Sequence, residues 1–349
     1  MKRGKYIKND VQRWILMLFI GTSLLSSCKN NIPDDLDAFG DDITFNGNSL
    51  SPFLGRVSTY ENIINLSNKT TLPLTFKIMD VRTIEGEHAP EILEKYPVKV
   101  WHKQYNAEEK SIEEIEAKRK IEYRPLLEIQ EKSGDLTFWN AGNSSMIKTL
   151  PSDGYLFDIE VSNSGGRRYA RNFLLAPRKE RDYEPSQYDD ILGIAKDSYL
   201  RPTRQSYLYG EKTGRPVSDV RVYIFENKEI KTPGSTFSVS VLDSLGNIID
   251  IDKFKNTDFA HLVHGFNPRK SNGKITYDVA YPMPLVAFPS RYTNETGSRV
   301  KIPLRYNRMG RGGKIIEAEL AFEFAIYREG HWEVQFRFNG ESPNFENEQ

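Results

Sequence analysis

Between Ile316 and Phe338 apolar and polar residues alternate along two successive arms, and no other feature of this chain restricts its fold as much. Ala318, Leu320, Phe322, Phe324 and Ile326 are interleaved with Glu317, Glu319 and Glu323, and Trp332, Val334, Phe336 and Phe338 follow the segment Arg328-Glu329-Gly330-His331. A period of two puts each apolar set on one face of an extended strand, whereas a helix would scatter it around its axis. The pattern predicts two strands, each with one buried face, joined as a hairpin through a turn at 328–331.

The same alternation recurs upstream. Turn signals at Asn46-Gly47-Asn48 and Leu66–Thr70 bound candidate strands Thr59–Leu66 and Leu72–Val81, the second with Leu74, Phe76 and Ile78 on one face. After Pro151-Ser152-Asp153-Gly154, Tyr155, Phe157, Ile159 and Val161 share a face, and Asn163-Ser164-Gly165-Gly166 reverses the chain into Arg168–Leu175. This unit resembles the last hairpin of an immunoglobulin-like sandwich, with Tyr155 at the place of its tyrosine corner, although the usual inter-sheet cysteines and core Trp spacing are absent. Further strands are expected around Val220, Val222 and Ile224, around Phe237, Val239 and Val241, and around Ile275, Tyr277 and Val279. Aromatic residues make up 12% of the chain, which favours pleated, half-buried surfaces.

One helix is expected over Asn106–Glu122. Asn106 with Glu109, or Ser111 with Glu114, can form a capping pair, and acids crowd its start while Lys118, Arg119 and Lys120 crowd its end. Its apolar stripe is thin, Ile112, Ile115 and Ile121, so it has little to bury. The expected fold is mainly β, two antiparallel β-sandwich, immunoglobulin-like domains with one short helical insertion. The first spans 43–176 and the second 195–340. The charged, proline-containing stretch 177–194 links them, Ile191–Leu200 forming a short helix or connecting strand, and 341–349 is a polar, loose tail.

The first 27 residues read as a secretory signal, with Lys2, Arg3, Lys5, Lys8 and Arg13 ahead of an apolar run from Trp14 to Ile20 that Gly21, Thr22 and Ser23 interrupt. That run is too short to span a bilayer. Leu25-Ser26-Ser27-Cys28 resembles a bacterial lipobox, which implies that Cys28, the one cysteine of the chain, is acylated and begins the mature protein. Residues 28–42 would then be the lipidated cysteine and a flexible acidic tether. This arrangement resembles outer-membrane lipoproteins of the Bacteroidetes classed as domains of unknown function, which often accompany SusC/SusD-like uptake systems. The resemblance implies a membrane partner through the N-terminal lipid, an outer-membrane location facing the cell exterior, and a glycan or other nutrient as ligand. Removing the signal leaves 43 basic and 47 acidic residues from an initial 48 of each, a balance that gives no footprint for nucleic acid.

No nucleophile elbow, phosphate loop or dinucleotide fingerprint is present, so no catalytic residue and no cofactor is assigned. His261 and His264 have an H-x-x-H spacing with no third ligand in view, and an exposed loop pair is the expected reading over a metal site. Arg167, Arg168 and Arg171, and again Arg305, Arg308 and Arg311, are basic clusters suited to an acidic ligand or to a solvated face. Trp101 opposes Val98 and Val100, and Trp139 opposes Leu136 and Phe138, so both indoles fall on the face away from the core. An outward indole is a platform for a sugar ring, or it packs under the helix or at the domain junction. The aromatic, proline-rich stretch Tyr281–Tyr292 is a binding rim or a crossover between sheets. Trp101, Trp139 and Tyr292 are thus the candidate ligand-binding residues. The expected function is glycan capture, with a protein-interaction or adhesion module and a surface glycoside hydrolase as alternatives.

Overall fold

The computed structural model describes residues 36–40, 43–65, 69–310 and 313–345. Cys28, the signal segment and the first three residues of the 66–70 turn lie outside the described residues, as does Arg311.

In the N-terminal half the strands are β1 (Thr44–Phe45), β2 (Ser49–Leu50), β3 (Ser58–Tyr60), β4 (Ile64–Asn65), β5 (Thr75–Thr83), β6 (Lys95–Trp101), β7 (Arg119–Pro125), β8 (Leu127–Ile129), β9 (Leu136–Phe138), β10 (Tyr155–Asn163) and β11 (Gly166–Leu175). Two sheets face each other, β2-β11-β10-β5 and β3-β9-β8, with β2 parallel to β11 and every other pair antiparallel. That order is the one an immunoglobulin sandwich uses, with β10 and β11 as its last two strands. Tyr155, Phe157, Ile159 and Val161 are all buried, as their period of two requires. The amide of Lys148 donates to Tyr155 Oη at 2.8 Å, so this tyrosine ties the start of its strand to the preceding loop as a tyrosine corner does.

Between the strands that pair with β10 and with β9, the chain leaves the sandwich as an arm. It is the β6–β7 hairpin, a two-stranded sheet of its own, with a single short helix, α1 (Ile112–Glu116), between its strands. The helix is much shorter than the 106–122 expected from sequence. Ser111 does cap it, accepting from the Glu114 amide at 3.2 Å. Residues 119–125 carry the charges of a helix C-terminus but have too few apolar residues to bury on a helical face, and they pair with β6 instead. Ile121 ends up 59% exposed.

The C-terminal half contains β12 (Tyr183–Glu184), β13 (Arg204–Ser206), β14 (Val220–Glu226), β15 (Thr236–Leu242), β16 (Ile248–Ile249), β17 (Gly265–Ser271), β18 (Lys274–Val279), β19 (Val300–Met309), β20 (Ile315–Ile326) and β21 (His331–Phe338). One sheet runs β14-β21-β15-β18-β17, with β16 on β15; the other has β19 on one edge of β20 and β12 and β13 on its opposite edge. The expected β20–β21 hairpin does not form. β21 pairs with β14 and, in parallel, with β15, so the two strands belong to different sheets and 328–331 is a corner between them. Their apolar faces are nevertheless as expected. They meet across the core, where Phe322 lies edge-on to Phe336 and Phe324 stacks on Phe237 at 5.2 Å.

The stretch between the halves is structured. β12 adds to the edge of β20, Tyr327 N–H donates to the Asp182 carbonyl, and Leu54 N–H donates to the Arg178 carbonyl, so the link is tied to both halves. Residues 191–200 form neither helix nor strand, only isolated bridges at Ala195 and Leu200, and they leave Ile191, Leu192 and Ile194 exposed. Nor is the start of the C-terminal tail loose: the amide of Asn344 donates to the Tyr209 carbonyl, and Phe345 packs edge-on to Phe254 and against Tyr306. Its polar residues add to the anchor, since the Glu341 carboxylate accepts from the amides of Lys212 and Thr213.

Candidate binding site

The tip of the arm reaches the C-terminal sandwich. Ile115, fully buried, packs with Ala280 and Leu285, and Trp101, Tyr105, Phe266 and Val286 close around them. The receiving loop, 280–293, is the crossover from β18 to β19, hence from one sheet to the other. Its far end is pinned where Gly297, at φ +74°, sits against the Phe288 backbone; a Cβ there would fall 2.1 Å from the Phe288 carbonyl carbon, so only glycine fits.

An aromatic chain runs through this contact. Trp101 and Tyr105 have ring centroids 5.3 Å apart, Tyr105 and His264 5.5 Å, and His264 stacks on Tyr292 at 4.8 Å with the rings parallel to within 1°. Phe288 meets Tyr105 edge-on. Tyr105, His264, Met283, Phe288, Ser290 and Tyr292 are among the residues lining an open recess of about 350 Å³, counting the solvent space at its mouth. At its margin Arg291 lies over the Tyr292 ring and is 3.5 Å from Asp258, which also holds His261 at 3.0 Å.

The hydrogen bonds fix a tautomer. His264 Nε2 is 2.9 Å from the Glu109 carbonyl, which only accepts, so Nε2 carries the proton. Nδ1 is then an acceptor, and the Tyr105 hydroxyl donates to it. Burial lowers the pKa of His264 and so keeps the ring neutral. Burial, reinforced by the charge of Glu109, raises the Tyr105 phenol well above its ordinary value. A phenol held protonated is not an activated nucleophile. The Tyr105–His264 pair therefore joins the arm to the sandwich. Glu109 itself has a 1% exposed side chain; burial pushes its pKa up, but Lys118 and the backbone amides around it outweigh that and the net shift is down.

The depressed pKa of His264 sets a pH dependence. Its stabilising contribution is complete above the free-histidine value of 6.5 and is lost as pH falls through the lower folded value. Amide exchange at Ile115, corrected for intrinsic rate, should therefore quicken as pH drops below 6.5. In His264→Asn that step should be absent, leaving only the loss at lower pH as Glu109 protonates.

Of the three candidate residues, the structure brings Trp101 and Tyr292 into one cluster. Trp101 faces away from the valines as its parity required, but Tyr105 and the Arg119 guanidinium, 4.7 Å from the indole centroid, press on it. Arg119 in turn donates to the Tyr281 carbonyl at 2.8 Å across the junction. Trp139 is elsewhere, at the base of the arm, donating to Glu128 at 2.8 Å. The pair His261 and His264 is split: His261 is exposed, while His264 is half buried in the cluster, contrary to the expected exposed pair. Among the described residues no group of three or more His, Cys, Asp or Glu is placed to hold a metal. The basic clusters are largely engaged within the protein, Arg305 with Glu319 at 2.6 Å and Arg308, buried, over the Tyr209 ring. Tyr105 had no distinguishing signal in the sequence, His264 was read only as half of an exposed pair and Phe288 only as part of the 281–292 loop; their meeting could not be seen, since Tyr105 and His264 are 159 positions apart.

No curated protein matches the sequence. A family model described as a domain of unknown function (DUF5007) matches residues 65–347, which takes in the arm, the crossover loop and both sandwiches from β5 onward, and the chain belongs to that family.

Proposed function

We propose that the protein is a lipid-anchored surface binding protein that captures a glycan, acting beside a SusC/SusD-like uptake system of the outer membrane. The signal segment ending at Cys28 supports the anchor. The observation that carries the binding role is the recess at the arm junction, where Tyr292 and Phe288 present aromatic surface beside the hydroxyls of Ser290 and Thr293. Sugar rings stack their C–H faces on such rings while neighbouring polar groups fix their orientation. Tyr292 rather than Trp101 is the principal platform, because Tyr292 lines the recess and Trp101 does not; the part of Trp101 is to hold the arm.

The test uses residues 29–349 without lipid, screened against plant and host glycans with released sugar monitored in parallel. Binding without release is expected. Silence across the panel from folded protein would end the capture reading, and release of sugar would move the assignment to a hydrolase. A protein-docking role is the second reading, favoured by the tip at 191–194, where Ile191, Leu192 and Ile194 are 45, 56 and 61% exposed.

A further inference from the structure

A charged cluster that shares no residue with the recess lies where the link between the sandwiches crosses Phe53. The guanidinium carbons of Arg56, Arg178 and Arg181 are 4.1, 5.1 and 5.0 Å from the centroid of that one ring. Two carboxylates answer these three cations. Glu184 binds Arg56 at 2.8 Å, while Asp190 alone bridges Arg178 at 3.2 Å and Arg181 at 2.6 Å. Neighbouring acids are committed elsewhere: Glu180 accepts from Ser144, Asp182 binds Arg328, and Asp189 accepts from the amides of Ile191 and Leu192. Two carboxylates thus serve three guanidinium groups at ion-pair distance, and Arg178 Nε is buried with no hydrogen-bond partner.

Asp190 is the least enclosed member. Its side chain is 51% exposed, against 13% for Arg181 and 17% for Arg56, and it hangs from a surface turn. The same turn presents Tyr188, 48% exposed, whose carbonyl accepts from Arg181 at 3.0 Å. Paired guanidinium groups recognise carboxylates through matching forks of N–H donors, and an exposed aromatic from the same turn suits a sugar ring. We infer that Arg178 and Arg181 form a carboxylate subsite whose built-in occupant is Asp190, and that the uronate group of an acidic sugar displaces that occupant. The exchange trades one ion pair for another and makes or breaks no covalent bond.

The test is a calorimetric titration at low salt with trigalacturonate, with neutral galactotriose alongside. Asp190→Ala is expected to bind trigalacturonate at least about tenfold more tightly than the unsubstituted protein, and Arg181→Gln added to it is expected to abolish binding. Equal affinity with and without Asp190, or equal binding of galactotriose, would overturn the subsite. Tighter binding of acetyl-aspartate amide than of the trisaccharide would overturn its assignment to a sugar. In the unsubstituted protein the Arg178 Nε–Hε resonance should shift as trigalacturonate is added; a resonance that stays fixed counts against the subsite even if the variants do not fold. Because the recess contributes no residue here, failure of glycan capture at Tyr292 leaves this result unaffected.

Discussion

Phe324→Ala is expected to destabilise the C-terminal sandwich by about 3–5 kcal/mol, the range for removing a fully buried phenylalanine. Phe324 is 0% exposed, and so is Phe237, on which it stacks from the opposite sheet. The ring also lies near Phe322 on its own strand, so no small shift of one neighbour refills the space. The effect depends on β20 and β21 lying in different sheets with their apolar faces opposed. Guanidinium unfolding followed by the fluorescence of Trp332, 3% exposed in the same core, in a chain that also carries Trp101→Phe and Trp139→Phe, measures it without mixing in the other sandwich. Phe225→Ala, on the outer face at 39% exposure, should change stability by no more than about 0.5 kcal/mol. A loss below about 1 kcal/mol for Phe324 would contradict the face-to-face arrangement.

Ile115→Asp should release the arm. Ile115 is 0% exposed against Ala280 and Leu285. Removing such a side chain costs about 2–5 kcal/mol, and the carboxylate adds the penalty of a buried charge with no partner. A five-residue helix has no stability of its own to offset this, since isolated helices shorter than about 12 residues are marginal. The expected result is local: amides of the arm lose protection from hydrogen exchange, while β10 and β11 keep theirs. Arm amides as protected as before would show that the Tyr105–His264 and Arg119–Tyr281 contacts hold the arm without this apolar anchor. Loss of protection in β10 and β11 as well would show that the arm and its sandwich unfold as one unit.

Much of this architecture was legible in the sequence because strand faces are set locally. The alternation in 155–161 and 220–224 named the buried side chains correctly; in 316–326 it named Ala318, Leu320, Phe322, Phe324 and Ile326 but missed Glu319, Ala321 and Ala325, which are buried on the other face. Which strands pair is a different matter. Two amphipathic strands with a four-residue connection satisfy the same alternation whether they lie edge to edge or face to face, and β20 and β21 chose the second. At 119–125 the charge pattern of a helix end lost to pairing with β6, because seven backbone positions gain cross-strand partners there while a helix would bury almost nothing. The site was half legible. Tyr292 stood out in a stiff aromatic loop and Trp101 by its parity. The residues that join them, Tyr105 and His264, meet only through the long excursion of the arm.

The most direct test of the account is a calorimetric titration of the soluble chain and its Tyr292→Ala and Trp139→Ala variants with the tightest glycan of the panel. If the recess is the capture site, Tyr292→Ala weakens binding at least tenfold, about 1.4 kcal/mol, while Trp139→Ala stays within twofold of the parent. Loss of binding in Trp139→Ala with Tyr292→Ala unaffected would place the site at the base of the arm and contradict the account.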